Sequence, residues 1–372
     1  MLCNIAKIPT DNHAGGLKYT DWVHHRVAQR ADAKQFLAAF PIAARAEDRR
    51  VQDNGEDGVS VIVPMCNAAT TIERTLASVC EQTYKNLEII VVDDGSRDAS
   101  AEIVGKWEKA DSRVRLYRQA NAGVAAARNA GFAQSNKCLV AFIDADDLWA
   151  PDKVRAQVEV LRENSGPALV YCWFAEINEL DQVTSAKPRG HVGNVGAQIA
   201  RWNFVGNGSS MLMPRSVFEE AGGFDVEPRA AGAQGTEDLL FLMRVAEHVP
   251  FRSVPRYLVG YRVTEGNMSS DTRQMRRAFE VALAKNQQRS PQFAAEHAKH
   301  MAGALGWLAA RATASGHHGA AASHLVRLGK IAPLAPLVAA RGIYRFGRDS
   351  LHRMTGAGRK PLSTTRYQHM DW

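Results

Sequence analysis

The feature that most constrains this chain is a fourfold alternation of short apolar runs and helical patterns between residues 59 and 161. The runs read VSVIVP, LEIIVV, VRLYR and LVAFI, and β-branched residues are frequent in them. Such runs are typical of strands that are buried on both faces. Apolar residues at helical spacing fill the segments between them. The alternation predicts an α/β fold, in which a mostly parallel, Rossmann-like sheet is flanked by helices.

Polar clusters follow three of the four predicted strands. Residues 64–67 follow the first strand, residues 93–96 the second, and residues 144–147 the fourth. Because the carboxyl ends of parallel strands meet at one edge of a sheet, ligands bind at that edge. We therefore expect the three clusters to form one site, although they are far apart in the sequence.

The segment 144–147 reads Asp-Ala-Asp-Asp and places three carboxylates within four residues. Carboxylates this close repel one another unless a positive charge lies between them. Mg²⁺ and Mn²⁺ prefer such oxygen ligands and also bridge phosphate oxygens. The alternative is a charged turn that caps the helix predicted to begin near Pro151.

Three further groups are candidates for a site. Asp93 and Asp94 follow a strand, where acidic side chains accept hydrogen bonds from a nucleoside, or else form an ordinary turn. The segment 121–131 combines glycines with Arg128, which would face a phosphate or form a salt bridge. Glu237 and Asp238 begin a predicted helix, where a carboxylate acts as a general base or only stabilises the helix N-terminus.

Composition excludes some classes of protein. The 46 Lys and Arg residues exceed the 39 Asp and Glu residues by 7, and they do not cluster with aromatic residues, so we expect no nucleic-acid partner. The five cysteines are odd in number and lack metal-ligand spacing, which indicates a reducing compartment. The sequence shows no signal-peptide pattern and no run of about 18 apolar residues. These features predict a cytoplasmic protein.

The chain divides into three regions. Residues 1–57 form an N-terminal extension that ends in a charged, glycine-containing linker. Residues 58–265 form the predicted α/β domain. Residues 266–372 are helical and basic, with a predicted helix pair that breaks near residues 315–316. This last region either lies on a membrane surface, with arginines on one side and apolar residues on the other, or packs on the α/β domain as a cap.

Six motifs occur in the order found in family 2 glycosyltransferases, and the chain resembles this family over roughly residues 58–262. The motifs are VSVIVPMCN, LEIIVVDDGSRD, NAGVAAARNAG, FIDADDLWAPDK, GGFD and TEDL. The resemblance implies the GT-A fold and inverting transfer of a sugar from a nucleotide-sugar, with UDP as the first candidate nucleotide. The acceptor would be a hydroxyl of a glycan or lipid-linked molecule in surface polysaccharide or glycolipid synthesis.

The resemblance also implies roles for individual residues. Asp94, supported by Asp93, would accept a hydrogen bond from the uracil N3–H, and Pro64 would wall the base pocket. Asp238, or less readily Glu237, would deprotonate the acceptor. Asp146 would contact ribose or metal, and Asp147 would coordinate Mn²⁺ or Mg²⁺ directly. The whole implied nucleotide-sugar site is Pro64, Cys66, Asn67, Asp93, Asp94, Asn121, Gly123, Arg128, Asn129, Asp144, Ala145 and Asp146.

The sequence departs from the family pattern at two positions. Cys66 stands where many members have an aromatic residue, and Thr264 stands where many have His. Two other classes of protein remain as alternatives. A metal-dependent nucleotidyltransferase would need a glycine-rich, basic loop after the first strand, and residues 65–71 contain neither glycine nor a basic residue. A non-catalytic nucleotide-sugar binding protein would not need the complete set of carboxylates.

Overall fold

The computed structural model describes residues 57–331, except 187, 189 and 265–269. The expectations for the N-terminal extension and for the basic segment after Ile331 lie outside the described residues. The strands are β1 (Val59–Met65), β2 (Leu87–Asp94), β3 (Val114–Gln119), β4 (Leu139–Phe142), β5 (Leu148–Trp149), β6 (Leu169–Ile177), β7 (Val183–Ala186), β8 (Met211–Pro214) and β9 (Phe251–Arg262).

Helices connect the strands and continue beyond the last of them. Those within the α/β domain are α1 (Ile72–Cys80), α2 (Ser100–Ala110), α3 (Val124–Ala133), α4 (Lys153–Arg162), α5 (Gly196–Arg201), α6 (Arg215–Glu220), α7 (Glu227–Ala230) and α8 (Glu237–Val245). The C-terminal helices are α9 (Thr272–Arg289), α10 (Ala294–Ala314) and α11 (His318–Ile331). The predicted break near residues 315–316 is confirmed, because α10 ends there and Gly316 has a φ of 74°.

The described strands form one sheet in the order β3-β2-β1-β4-β8-β6-β9-β5, with β7 paired to β6. The pairs β1–β2, β2–β3, β1–β4 and β6–β9 are parallel. The pairs β4–β8, β5–β9, β6–β7 and β6–β8 are antiparallel. The predicted α/β class is confirmed. The sheet is mixed, since only the half built from β1–β4 is uniformly parallel.

The long strand β9 is absent from the sequence-based prediction. Its sequence, FRSVPRYLVGYR, contains Pro255 and three arginines, and a proline argues against a central strand. The parallel pairing of β6 with β9 changes register around Trp173, opposite this irregular stretch. Tertiary pairing therefore overrides a local pattern that does not indicate a strand.

The core lies on both faces of the sheet. Along β1, Val61 and Val63 pack in one cluster with residues of α1, α2 and α4, whereas Ile62 packs in the opposite cluster. That second cluster contains an aromatic group in which the Phe224 ring lies 4.6 Å from Phe241 and 5.1 Å from Phe142. Burial on both faces explains the continuous apolar runs of the sequence. No described helix is both long enough and apolar enough to span a membrane.

Close packing of α3 on β1 depends on Gly131. A Cβ at this position would lie 2.5 Å from Ile62 Cγ2, whereas a Cβ at Gly105 of α2 would have nothing within 4 Å. We expect Gly131→Ala to lower the free energy of unfolding by about 1–3 kcal/mol through overpacking. Gly105→Ala should raise it by about 0.5–1 kcal/mol because alanine favours helix. Urea unfolding of both variants measures this, and a stabilised Gly131→Ala protein would contradict the packing.

Candidate active site

The predicted clusters meet at the carboxyl edge of the parallel half of the sheet. In the register of β1 and β2, Met65 pairs with Asp93, and in that of β2 and β3, Asp94 pairs with Gln119. Strand β4 lies on the other side of β1, so the segment 144–147 follows at the same edge. The expectation that distant clusters share one edge is confirmed.

Asp94 ties the end of β2 to the start of α3. Its Oδ1 accepts hydrogen bonds from the Ala122 N–H at 2.7 Å and from Gln119 Nε2 at 2.8 Å. Its Oδ2 accepts from the Gly123 N–H at 2.7 Å, and the φ of 92° at Gly123 is a conformation that favours glycine. A carboxylate oxygen has two lone pairs, so Oδ2 retains capacity for one more donor. Asp93 is buried and accepts from the Ser96 N–H and from Arg118 Nε.

The first cluster is organised by Asn67. Its N–H donates to Ser96 Oγ at 2.9 Å, and its Oδ1 accepts from the Arg97 N–H at 2.8 Å, with a φ of 51° at Asn67. Cys66 is exposed, and Asn121 Nδ2 donates to its Sγ at 3.3 Å. Pro64 lies inside β1 and is buried opposite Val92. Cys66, Asn67, Asp94, Asn121 and Gly123 therefore surround one region.

The three carboxylates of the segment 144–147 have different environments. Asp144 and Asp146 are partly exposed, whereas Asp147 is fully buried. Asp147 Oδ2 accepts from the Ser209 hydroxyl at 2.5 Å, and its Oδ1 accepts from the Arg262 N–H at 2.9 Å. Burial and the charges of Asp146 and Asp144 raise the pKa of Asp147. The buried position of Asp147 and its two accepted hydrogen bonds favour a supporting role over direct metal coordination, which stays a prediction from the resemblance.

A divalent cation would find two partly exposed carboxylates here, those of Asp144 and Asp146. Among the described residues, no group of three or more His, Cys, Asp or Glu side chains is arranged to hold a metal ion. Mg²⁺ is usually bound through one or two carboxylates, with water and substrate phosphates as its other ligands. The donor set therefore fits a cation that shares its coordination sphere with a diphosphate.

Arg128 joins a carboxylate of the segment 144–147 to a carboxylate at the start of α8. Its guanidinium forms ion pairs with Asp144 at 2.6 Å and with Glu237 at 3.0 Å, and it lies 5.0 Å from the centre of the Phe224 ring. The side chain is only 2% exposed. Burial alone would lower the pKa of Arg128, but the charges of Asp144 and Glu237 outweigh it and raise the pKa. Of the two roles predicted for Arg128, the salt bridge is the one observed.

Glu237 and Asp238 differ in how many hydrogen bonds their carboxylates already accept. Glu237 accepts from Arg128 and from the Gly235 N–H at 3.2 Å. Asp238 accepts a hydrogen bond from the adjacent Leu239 N–H at 2.7 Å, through Oδ1. Burial and the charge of Glu237 raise the pKa of Asp238 to about 7. A carboxylate with a pKa near neutrality and spare acceptor capacity suits a general base.

Two predicted donor-site residues have structural contacts instead. Asn129 clamps the GGFD turn, since its Nδ2 donates to the Phe224 carbonyl at 2.7 Å and its Oδ1 accepts from the Phe224 N–H at 2.8 Å. Ala145 is buried, and its carbonyl accepts from the Thr75 hydroxyl at 3.0 Å. Both residues therefore shape the site through the backbone, and their contact with the nucleotide-sugar stays a prediction.

Arg262 is the main residue of this region that the sequence reading missed. It is 1% exposed at the end of β9, and its Nε donates to the Asp146 carbonyl at 2.7 Å. Its Nη1 donates to the Asn178 carbonyl at 2.6 Å, and its guanidinium pairs with Asp181. These contacts fix the backbone of the 144–147 turn. No local pattern signals this role, because β9 itself is not recognisable and all the partners are distant in sequence.

Comparison with known proteins places this site in a family. Residues 60–222 match the model described as "Glycosyl transferase family 2". The putative teichuronic acid biosynthesis glycosyltransferase TuaG of Bacillus subtilis is 42% identical over 108 residues, which are 29% of this chain and 43% of that protein. Glycosyltransferase GlyA of Streptococcus pneumoniae is 43% identical over 99 residues, which are 27% of this chain and 14% of that protein. The chain thus spans less than half the length of these relatives.

A solved structure extends the likeness to the fold as a whole. The mannosyltransferase PcManGT from Pyrobaculum calidifontis, in complex with GDP-Man and Mn²⁺, has a TM-score of 0.52 and 19% sequence identity. The alignment covers 91% of this chain and 95% of that one. At this identity the likeness concerns the fold. Residues 60–222, less than half of the chain, are thus similar to glycosyltransferase family 2, and the fold is GT-A.

Proposed function

We propose that this chain is a metal-dependent, inverting glycosyltransferase that moves a sugar from a nucleotide-sugar to a hydroxyl of a glycan or lipid-linked acceptor. The observation that carries the proposal is Arg128. By pairing with Asp144 and Glu237, it joins the carboxylates at the end of β4 to the start of α8, where Asp238 lies. Asp144, which belongs to the predicted nucleotide-sugar site, and Asp238, the candidate base, therefore belong to one charged cluster.

The nucleotide would occupy the region around Asp94 and Asn121. The remaining lone pair of Asp94 Oδ2 is available for a ring N–H, as the family resemblance implies for uracil N3–H. Solved proteins with similar folds are described in complex with GDP-Man or with UDP-GlcNAc, which supports a nucleoside diphosphate sugar as donor. The resemblance favours UDP.

The cation, Mn²⁺ or Mg²⁺, would be held by Asp146 with Asp144 beside it. When bound, it would neutralise the charge that develops on the departing nucleoside diphosphate. Asp147 would act through the turn, because its hydrogen bonds to Ser209 and to the backbone of Arg262 fix the position of Asp146. This arrangement resembles other metal sites in which outer groups orient the ligands.

The transfer itself would be a single displacement at the anomeric carbon. Asp238 accepts the proton of the acceptor hydroxyl while the oxygen of that hydroxyl forms the new bond to the anomeric carbon. The bond from that carbon to the phosphate oxygen breaks on the opposite side, so the configuration inverts. The pKa of about 7 at Asp238 suits this proton transfer at neutral pH.

The acceptor belongs to surface polysaccharide or glycolipid assembly in this proposal. Support comes from the Bacillus subtilis relative TuaG, which is a putative glycosyltransferase of teichuronic acid biosynthesis. A lipid-linked acceptor would bring the enzyme to the inner face of a membrane. Contact of the basic C-terminal region with that surface, from the cytoplasm, stays a prediction.

Calorimetric titration of UDP tests the donor and metal assignments together. We expect UDP to bind with Mn²⁺ present and to bind much more weakly in EDTA. Asp146→Asn should lose the difference between the two buffers while keeping the unfolding midpoint of the parent protein. Asp147→Asn should lower the free energy of unfolding by about 1–3 kcal/mol, because its amide places a donor against a buried N–H or O–H.

GDP and dTDP are the controls for the identity of the nucleotide. A protein that binds none of the three nucleotides would contradict the proposed activity. An Asp147→Asn protein of unchanged stability that loses the metal effect would reverse the roles given to Asp146 and Asp147. Binding without turnover on any acceptor would favour a nucleotide-sugar binding protein.

A further inference from the structure

Arg229 lies directly over the start of α3, although it comes from α7, more than a hundred residues later in the chain. Its Nη2 donates a short hydrogen bond to Asn121 Oδ1. A Cβ on Gly123 would lie 2.6 Å from Arg229 Nη1 and 2.9 Å from its Cδ. The guanidinium and the end of its stem therefore pack on the backbone at Gly123, where only a glycine leaves room.

Arg229 lies in the region where we propose that the nucleotide binds. Asn121, its hydrogen-bond partner, donates to the Asp94 carbonyl at 2.8 Å, and Gly123 donates its N–H to Asp94 Oδ2 at 2.7 Å. Arg229 therefore contacts two residues, Asn121 and Gly123, and each of these donates a hydrogen bond to Asp94. Arg128, in contrast, pairs with Asp144 and Glu237 on the metal side.

Arg229 also has an unused donor. Its Nη1 is buried and has no hydrogen-bond partner in the part of the chain that the structure describes. Its observed acceptor, the Asn121 amide oxygen, is neutral. Buried polar groups in native proteins are nearly always paired, so an exception beside a binding site indicates that a ligand completes it.

We propose that Arg229 reads the nucleobase by donating to one ring carbonyl oxygen, the one that lies next to the N–H accepted by Asp94 and that is replaced by an amino group in cytosine. This inference rests on the proposed function and names a selectivity residue within it. Uracil presents a carbonyl, an N–H and a second carbonyl along one edge, and guanine presents a carbonyl and an N–H. One carboxylate and one guanidinium, side by side, complement both edges.

The same pair of residues rejects the other bases. Cytosine and adenine carry an amino group and a bare ring nitrogen on the corresponding edge. The amino donor would face the Arg229 guanidinium, and the ring nitrogen would face the Asp94 carboxylate, so both contacts would be repulsive. A site whose polar groups are left unpaired by the wrong ligand discriminates strongly against it.

The C-terminal helices hold the segment that carries Arg229. Lys285 of α9 forms ion pairs with Asp225 at 2.7 Å and with Glu227 at 2.5 Å, directly before Arg229. The position of Arg229 therefore depends on α9, which lies outside the residues that match the family model. Selection of the base would in this way depend on the region that follows the matched domain.

The experiment compares UDP with CDP, because the two ligands have the same ribose and diphosphate and differ only in the base. Arg229→Met keeps the length of the stem and removes the guanidinium. We expect UDP affinity to fall by about tenfold or more, as for loss of a hydrogen bond to a charged group, and CDP affinity to rise or stay the same, because the repulsion of the amino group is removed. Arg155→Met is the matched control, since Arg155 is exposed on α4 and bonds to Thr83.

The outcomes distinguish a contact with the base from a contact with the diphosphate and from no contact at all. Equal losses of UDP and CDP affinity would place Arg229 on the diphosphate and overturn the proposal, as would unchanged UDP affinity. Arg229→Lys serves as a second variant if Arg229→Met is unstable, because it keeps the charge and loses the planar fork. If the parent protein binds GDP instead, GDP and ADP form the test pair. If the parent binds neither UDP nor GDP, the proposed function itself fails.

Discussion

Replacing Asp238 by asparagine is expected to lower the turnover of sugar transfer by about two to four orders of magnitude, the range typical for loss of a general base. The substitution keeps the shape of the side chain and its hydrogen bond to the Leu239 N–H, but it removes the group that accepts the proton. Binding of the nucleotide should persist, because Asp238 makes no contact with Asp94 or Asn121. The effect therefore falls on kcat and leaves the affinity for UDP nearly unchanged.

The pH profile gives the Asp238 prediction a second readout. The pKa of Asp238 is raised to about 7 by burial and by Glu237, and the base acts only when deprotonated. We therefore expect kcat/KM to fall about tenfold per pH unit below about 7, and Asp238→Asn to lose this dependence. Glu220→Gln, an exposed carboxylate on α6, is the matched control. A pH profile that survives in Asp238→Asn would assign the proton transfer to another group.

Replacing Arg128 by methionine is expected to lower the free energy of unfolding by about 3–5 kcal/mol, the range for breaking a buried ion pair by removing one partner. The substitution leaves Asp144 and Glu237 without their shared cation, and it removes the contact of the guanidinium with the Phe224 ring. Urea unfolding at neutral pH measures the loss. Transfer activity should also disappear, because Arg128 links the turn at 144–147 to the start of α8.

Two further variants test the physical reason for that loss. Arg256→Met removes an arginine that pairs with Asp152, and the two side chains are 55% and 48% exposed, so we expect it to cost less than about 1 kcal/mol. Adding Asp144→Asn and Glu237→Gln to Arg128→Met should recover part of the stability, because neutral amides are cheaper to bury than unpaired carboxylates. An Arg128→Met protein as stable as Arg256→Met would contradict the buried ion-pair cluster.

The parallel half of the fold was determined by sequence alone. Strands β1, β2 and β4 are mainly apolar runs, because both faces of that half-sheet are covered, and a buried polar side chain needs a partner, as Ser60 and Glu88 are for each other. Polar residues therefore concentrate where these strands end, so their positions in the sequence mark the edge of the sheet. Strand periodicity therefore predicts the segments of Asp94 and Asp146, and six motifs in order indicate a resemblance to family 2 glycosyltransferases.

Other parts of the fold and site were decided only by tertiary structure. β9 is stabilised by pairing with β6, and its own sequence, with Pro255, does not indicate a strand. Asp146 and Asp147 are neighbours in the sequence, yet one is partly exposed and the other is fully buried against Ser209 and Arg262. A turn sends adjacent side chains in different directions, and no local pattern records which partner each will meet.

The same reason applies to the arginines. The sequence contains many of them, and nothing near Arg229 or Arg262 distinguishes these two from those on the surface. Arg128 meets Glu237, Arg229 meets Asn121, and Arg262 meets the turn at Asp146 only after the chain has folded. Sequence thus determines which chemical groups gather at the sheet edge, because strand periodicity is local. Which of those groups are paired and which stay available for a ligand depends on contacts between residues about a hundred positions apart.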